Sequence, residues 1–194
     1  SDGETLYTGR CRELTPEQIM HLSRLRRPAA RLRLPDETIR FEDGHYGRLE
    51  QNLASECGDI ILRRSDGVFA YQLAVVVDDI AMGVTQVVRG RDLLSSTPRQ
   101  MYLYRLFGAE PPQYIHVPLL LAQDGRRLSK RERDLDIGAL RAHGFTAEEI
   151  VGRIAYLAGL LPHPFPVRPK ELLPLFSWEK IPKKDLMLPE DLFS

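Results

Sequence analysis

Val84-Thr85-Gln86-Val87-Val88, then Ser96-Thr97-Pro98-Arg99-Gln100 leading into residues 101–107, then Ile115-His116-Val117-Pro118-Leu119-Leu120-Leu121 spell out strand, helix, strand in that order. The first run is rich in β-branched residues and stops at Arg89-Gly90, as a buried strand does. The second opens with a hydroxyl residue and a first-turn proline, the signature of a helix start. The third is another apolar run, closed by the Asp124-Gly125 turn. A strand–helix–strand crossover implies a parallel pairing, and with it an α/β fold.

Working upstream, residues 59–63 and 68–71 flank Ser65-Asp66-Gly67 and read as a hairpin with an Asp-Gly turn. Residues 73–77 form a continuous apolar run ending in Asp78 and Asp79, and periodicity leaves strand and helix both open there. Thr15-Pro16-Glu17-Gln18 starts a short helix with one apolar side made by Ile19, Met20, Leu22 and Leu25. Residues 30–34 and 38–41 alternate apolar and polar side chains around Pro35-Asp36 and read as strands. Downstream of Asp134 the pattern turns helical over 137–143 and 147–160, with Gly144 as the stop between them. From Leu161 prolines are frequent, and an extended tail with one short helix at 169–176 is expected. The expected organisation is an α/β body over residues 1–121 and a loop plus helical appendage over 122–194.

The composition fits one soluble globular body, with 43% hydrophobic and 28% charged residues among 194. No apolar run approaches the roughly 18 residues that a membrane span needs. No secretory signal opens the sequence either, so a cytoplasmic protein without membrane contact is expected. Two cysteines are too few for a disulfide framework. Lys plus Arg and Asp plus Glu number 27 each, so the chain as a whole is no polyanion binder. Arginines nevertheless crowd residues 24–33, and basic residues crowd 126–133. Taken alone, each cluster reads as a solvated face.

The most specific local feature is Arg126-Arg127-Leu128-Ser129-Lys130-Arg131, directly after a strand and a tight turn. An ammonium on such a loop can reach a polyphosphate and offset charge that develops as pyrophosphate leaves, often beside a divalent metal. Without context, a solvated turn is the commoner reading. The spacing Tyr7-x-x-x-Cys11 is weak by itself, because an isolated cysteine is usually a small apolar residue. His21, His45, His116, His143 and His163 are scattered, none at metal spacing with another His or Cys, and read as structural or surface residues.

Context comes from several ordered motifs. Arg127-Leu128-Ser129-Lys130-Arg131 resembles the second signature of class I aminoacyl-tRNA synthetases, the "KMSKS" loop, in the form used by the glutamate branch. Asp66-Gly67-Val68-Phe69-Ala70-Tyr71 through Asp78-Asp79 resembles that branch around its amino-acid pocket. Gly83-Val84-Thr85-Gln86-Val87-Val88-Arg89-Gly90-Arg91-Asp92, Thr97-Pro98-Arg99-Gln100 and Ile115-His116-Val117-Pro118-Leu119 continue the match, which covers about 59–160. Within the family, Tyr7-Thr8-Gly9-Arg10-Cys11 resembles the second half of a zinc motif in the short glutamyl-queuosine branch.

The resemblance implies the second half of a Rossmann-like class I catalytic core. It implies Tyr71 and Arg89 as contacts to the substrate L-glutamate, through a phenol hydroxyl and a guanidinium fork, and Lys130 as the catalytic, ATP-binding residue. Arg89 and Lys130 are expected to face one cavity. Tyr7 and Cys11 would be two zinc ligands, and two do not close a tetrahedral site. The implied substrates are ATP with Mg2+, glutamate, and the queuosine of tRNA(Asp), used by a monomer. Cys57 matches nothing and is expected in the core.

Two departures qualify these expectations. The family's first signature, "HIGH", which binds ATP at a helix N-terminus, is not among these residues, so the stretch by itself is expected to be inactive. Position 127 is Arg where the family usually has Lys, and the two cations differ in geometry. Two alternatives stay open: a truncated glutamyl-tRNA synthetase making Glu-tRNA(Glu), and a non-catalytic tRNA-binding module.

Overall fold

The computed structural model describes residues 7, 9–128, 136–189 and 191–193. The chain divides into two compact units, Ser1–His116 and Val117–Ser194. Among the described residues no helix is long and apolar enough to cross a membrane.

The first unit opens with α1 (Pro16–Leu25), whose start is the one the sequence predicts. Thr15 accepts from the Gln18 backbone N–H while the Gln18 side chain accepts from Thr15 N–H, a reciprocal capping box. Next come β1 (Ala30–Leu32), β2 (Thr38–Asp43), β3 (Gly47–Asn52) and β4 (Ile60–Arg63). The two strands expected around Pro35-Asp36 exist but do not pair with each other. β1 pairs antiparallel with β4, and β2 pairs antiparallel with β3. A π-helical turn at Leu53–Cys57 joins β3 to β4 and buries Leu53 and Cys57.

The hairpin after β4 is shorter than its sequence suggests. Gly67 takes the positive φ of the turn, and the chain returns only as far as the Arg63–Phe69 bridge and the Ala70 N–H bond to Leu62 O. Tyr71 then begins α2 (Tyr71–Met82), which settles the open reading of the 73–77 run as helix. Val76 is the residue of this helix that enters the core, and left-handed Gly83 ends it.

β5 (Gln86–Gly90), a 3-10 turn at Arg91–Ser96, α3 (Thr97–Leu106) and β6 (Gln113–Val117) form the expected crossover. β5 and β6 are sheet neighbours. Their side chains meet as Gln86 with Gln113 and Arg89 with His116, 27 residues apart in both cases, so the two strands run in the same direction. Leu34, Leu53, Cys57, Ile60, Val76, Leu103 and Tyr104 form the core under these elements.

Pro118 ends the apolar run that the sequence presents as one strand to residue 121. Proline has no N–H for a ladder, and the following Leu119 N–H donates to Asp185 Oδ1 instead. The run resumes in the second unit as β7 (Leu120–Leu121), paired in parallel with β8 (Leu186–Met187) near the end of the chain. Between them lie α4 (Ile137–Ala142), α5 (Ala147–Leu157) and the short α6 (Pro169–Leu172), continued as a 3-10 turn at Leu173–Leu175. A second capping box, Thr146 with Glu149, starts α5. Ala155, Leu161 and Val167 make the core of this unit.

Candidate functional site

Arg89 stands near the end of β5, half-buried, with its guanidinium spread across three neighbouring elements. Its Nε donates to His116 Nε2 on β6 at 2.9 Å and its Nη1 donates to Gln100 Oε1 on α3 at 2.8 Å. Its Nη2 donates to Thr97 Oγ1 at 2.8 Å and to the Leu93 carbonyl at 3.3 Å. The ring of Tyr114 lies 4.9 Å from the guanidinium carbon. An arginine has five N–H donors. Four are taken here, leaving one Nη1 hydrogen without an acceptor among the described residues. The side chain therefore offers one directed N–H and a fixed positive charge rather than a two-pronged fork. Burial lowers its pKa, and nearby Tyr114, Tyr71, Asp79 and Asp43 work in the opposite direction. Arginine remains a cation under such shifts.

Behind Arg89 lies a wholly buried pair. His116 Nδ1 and Asp43 Oδ2 are 2.6 Å apart, and neither side chain reaches solvent. The other carboxylate oxygen, Oδ1, accepts the backbone N–H groups of His45 (3.0 Å), Tyr46 (2.9 Å) and His116 (3.3 Å). These bonds are what the β2–β3 turn contributes. Burial alone would raise the Asp43 pKa, but the His116 and backbone donors outweigh it and hold the group below its usual value. His116 is lowered as well, first by burial and also by the Arg89 charge, against the pull of Asp43.

The hydrogen bonds continue outward to a surface cleft of about 600 Å³. Gln100 Nε2 donates to Gln72 Oε1 at 2.8 Å, and Gln72 Nε2 donates to Ser96 Oγ at 3.1 Å. Gln72 and Ser96 line the cleft, together with Tyr71, Phe69, Arg64 and Arg99. Tyr71 is the first residue of α2 and is 54% exposed, so its phenol is available rather than packed in the core. Cys57, expected in the core, is buried on the same wall. The cleft thus combines aromatic faces, the guanidinium groups of Arg31, Arg64 and Arg99, the carboxylates of Glu56 and Asp59, and an amide, a lining suited to a polar ligand that carries charge.

Tyr7 and Cys11 sit on one turn, closed by the Arg12 N–H bond to Gly9 O. The Tyr7 hydroxyl accepts from the Cys11 backbone N–H at 2.8 Å, and the Arg31 guanidinium lies 4.3 Å from the Tyr7 ring centroid. Cys11 is an exposed free thiol. Among the described residues no group of three or more His, Cys, Asp or Glu gathers as metal ligands would. Two donors on one turn do not complete a tetrahedral zinc site, so these residues do not by themselves fit one. Beside this turn a second cleft, of about 560 Å³, carries Arg12, Arg26, Arg27, Arg31 and Arg33 over Ile19 and Leu22.

Lys130 lies outside the described residues. Leading toward it, Gly125 takes a positive φ in the expected turn, Asp124 holds Arg126, and Arg127 bridges back to Leu121. The structure thus joins Arg89 through Gln100 and Gln72 to the cleft lined by Tyr71. Asp43, His116, Thr97, Gln100 and Gln72 carry the arrangement, although the sequence assigns none of them a site role and presents His116 as a structural or surface histidine. The available signal was His116 amid an apolar strand, where a buried imidazole needs a partner on each nitrogen.

Comparisons with known proteins bear on this arrangement. The family described as tRNA synthetases class I (E and Q), catalytic domain, matches residues 2–163. A glutamyl-Q tRNA(Asp) synthetase of Nitratidesulfovibrio vulgaris is 54% identical over 96% of this chain and 58% of that protein. One from Symbiobacterium thermophilum is 47% identical over 95% of this chain and 57% of that protein. The chain therefore spans a little over half the length of these relatives. In fold it is similar to a crystal structure of a glutamate tRNA ligase from Elizabethkingia meningosepticum in complex with its amino acid. That match has a TM-score of 0.74 and 24% identity, over 97% of this chain and 42% of the other.

Proposed function

Because the chain belongs to the catalytic-domain family of class I tRNA synthetases, E and Q, we propose that it forms the second half of the catalytic core of a ligase that activates L-glutamate with ATP and transfers it to the queuosine of tRNA(Asp). The choice of acceptor follows the relatives that share about half of its residues. The observation that carries the reading is Arg89, a half-buried cation fixed by four hydrogen bonds and linked by amides to a cleft with an accessible phenol.

In this reading the Arg89 charge and its remaining Nη1 hydrogen hold a carboxylate of glutamate, and the Tyr71 hydroxyl gives a second, directional contact. The α-carboxylate attacks the α-phosphorus of ATP, and pyrophosphate leaves. Lys130 supplies an ammonium to the polyphosphate as charge builds on the leaving group. A hydroxyl of the queuosine ring then attacks the adenylate carbonyl, and AMP leaves. Mg2+ would share the phosphate charge, and Tyr7 and Cys11 would supply two of the ligands for a structural zinc. Residues 1–121 then form the remainder of the catalytic domain and 122–194 the signature loop with its helical region, in a cytoplasmic monomer.

The test is transfer of radiolabelled glutamate by the full-length gene product. Labelling of queuosine-containing tRNA(Asp), with none on tRNA(Asp) that carries guanine at that position, is the expected result. Labelling of tRNA(Glu) instead would assign the ordinary synthetase activity. Salt-sensitive tRNA binding without labelling would leave a binding module.

A further inference from the structure

We propose that Asp43 and His116 are a positioning pair that fixes Arg89 by dictating which nitrogen of the His116 ring carries the proton; the consequence for glutamate rests on the function proposed above. Two bonds of one imidazole fix its tautomer. Asp43 Oδ2 sits 2.6 Å from His116 Nδ1, and a buried carboxylate can only accept, so Nδ1 carries the hydrogen. That leaves Nε2 with its lone pair, facing Arg89 Nε–H at 2.9 Å. The opposite tautomer would set two N–H groups head to head. A guanidinium repelled by an Nε2–H would have to tilt against its bonds to Gln100, Thr97 and Leu93, and the single Nη1 hydrogen left for a ligand would change direction.

The backbone around Asp43 makes this control testable. All three main-chain donors converge on Oδ1, while Oδ2 is kept for the imidazole. In Asp43→Asn the carboxamide oxygen must therefore stay on the three backbone N–H groups. Its NH2 is forced toward Nδ1, which then has to accept, and the ring proton moves to Nε2. A change of one atom on a strand distant in sequence thus removes the acceptor of the Arg89 Nε–H while keeping shape and burial nearly constant. Thr97 Oγ1 lies 3.4 Å from the same Nε2 and completes the surroundings of the ring.

Two measurements decide it. Nitrogen-15 NMR of histidine-labelled protein should show His116 protonated on Nδ1 in the unaltered chain and on Nε2 in Asp43→Asn. In the full-length gene product, Asp43→Asn and His116→Asn should each raise the KM for glutamate about tenfold or more in pyrophosphate exchange. The KM for ATP and the rate at saturating glutamate should change by less than about threefold. His116→Gln places a carboxamide oxygen near the former Nε2 position, so Asp43→Asn/His116→Gln should recover much of the lost affinity, which a merely structural role would not allow. The proposal is overturned if unaltered His116 is protonated on Nε2, or if glutamate KM is unchanged in a variant whose tautomer has inverted. It is equally overturned if the double variant is no better than Asp43→Asn. Absence of any glutamate-dependent exchange in the unaltered protein removes the functional reading instead, and the spectra still decide whether the pair holds Arg89.

Discussion

Arg89 Nε and His116 Nε2 face each other at 2.9 Å, a contact that is attractive only while the imidazole is neutral. Asp43 behind the ring would ordinarily favour the imidazolium, yet burial and the neighbouring guanidinium oppose it. The site therefore holds a carboxylate, a neutral ring and a cation in line, with every ring nitrogen committed.

Acid should loosen the first unit in two stages. His116 is held below its ordinary 6.5 and Asp43 below its ordinary 3.8. Just below each ordinary value the unfolded chain binds a proton that the folded chain refuses, so stability falls as pH drops. Urea midpoints measured from about pH 7.5 down to about pH 5 should decline, and His116→Gln should flatten that decline. An identical pH dependence in both proteins would exclude His116 as the source.

Gly152 on α5 is a packing constraint in the second unit. A Cβ there would lie 1.8 Å from the Phe165 carbonyl oxygen, which is backbone and cannot swing aside. Gly152→Ala should destabilise the unit by about 1–3 kcal/mol despite its better helix propensity, as overpacking does. Equilibrium urea unfolding checks this, with a stabilised variant as the contrary outcome.

Tyr71→Phe removes only a hydroxyl from a side chain that is more than half exposed. Thermal stability should stay within about 0.5 kcal/mol of the parent. The glutamate KM should nevertheless rise by about tenfold through loss of one hydrogen bond to a charged group. Unchanged kinetics would take the phenol out of the amino-acid pocket.

Lys130→Ala should lower the rate of glutamate-dependent pyrophosphate exchange by about a hundredfold, the usual cost of losing a donor to developing charge. The effect should fall on kcat more than on glutamate KM. Near-normal exchange would remove Lys130 from the chemistry.

Local chemistry wrote much of this fold legibly. The Thr15 helix start, the Gly144 stop and the strand–helix–strand order are carried by near neighbours, so the sequence displays them. Partner choice is different. β1 pairs with β4 and not with β2, because pairing depends on which apolar faces meet in three dimensions. The Val75–Val77 run is helix despite its β-branched residues, since the Ala70 and Gly83 boundaries and burial of Val76 override weak propensity. At the site, the motifs mark Tyr71 and Arg89, and hydrogen bonds run from Arg89 through Gln100 and Gln72 to the cleft that Tyr71 lines. Asp43 was invisible because its role depends on a partner 73 residues away.

Under the proposed function, the fixed guanidinium of residue 89 reads the amino acid. Arg89→Ala in the full-length gene product, assayed by pyrophosphate exchange across a range of glutamate concentrations, is the decisive variant. The glutamate KM should rise by about a hundredfold, the scale expected for losing a charge-assisted contact, with the KM for ATP retained. An unchanged glutamate KM in a folded, ATP-binding variant would contradict it.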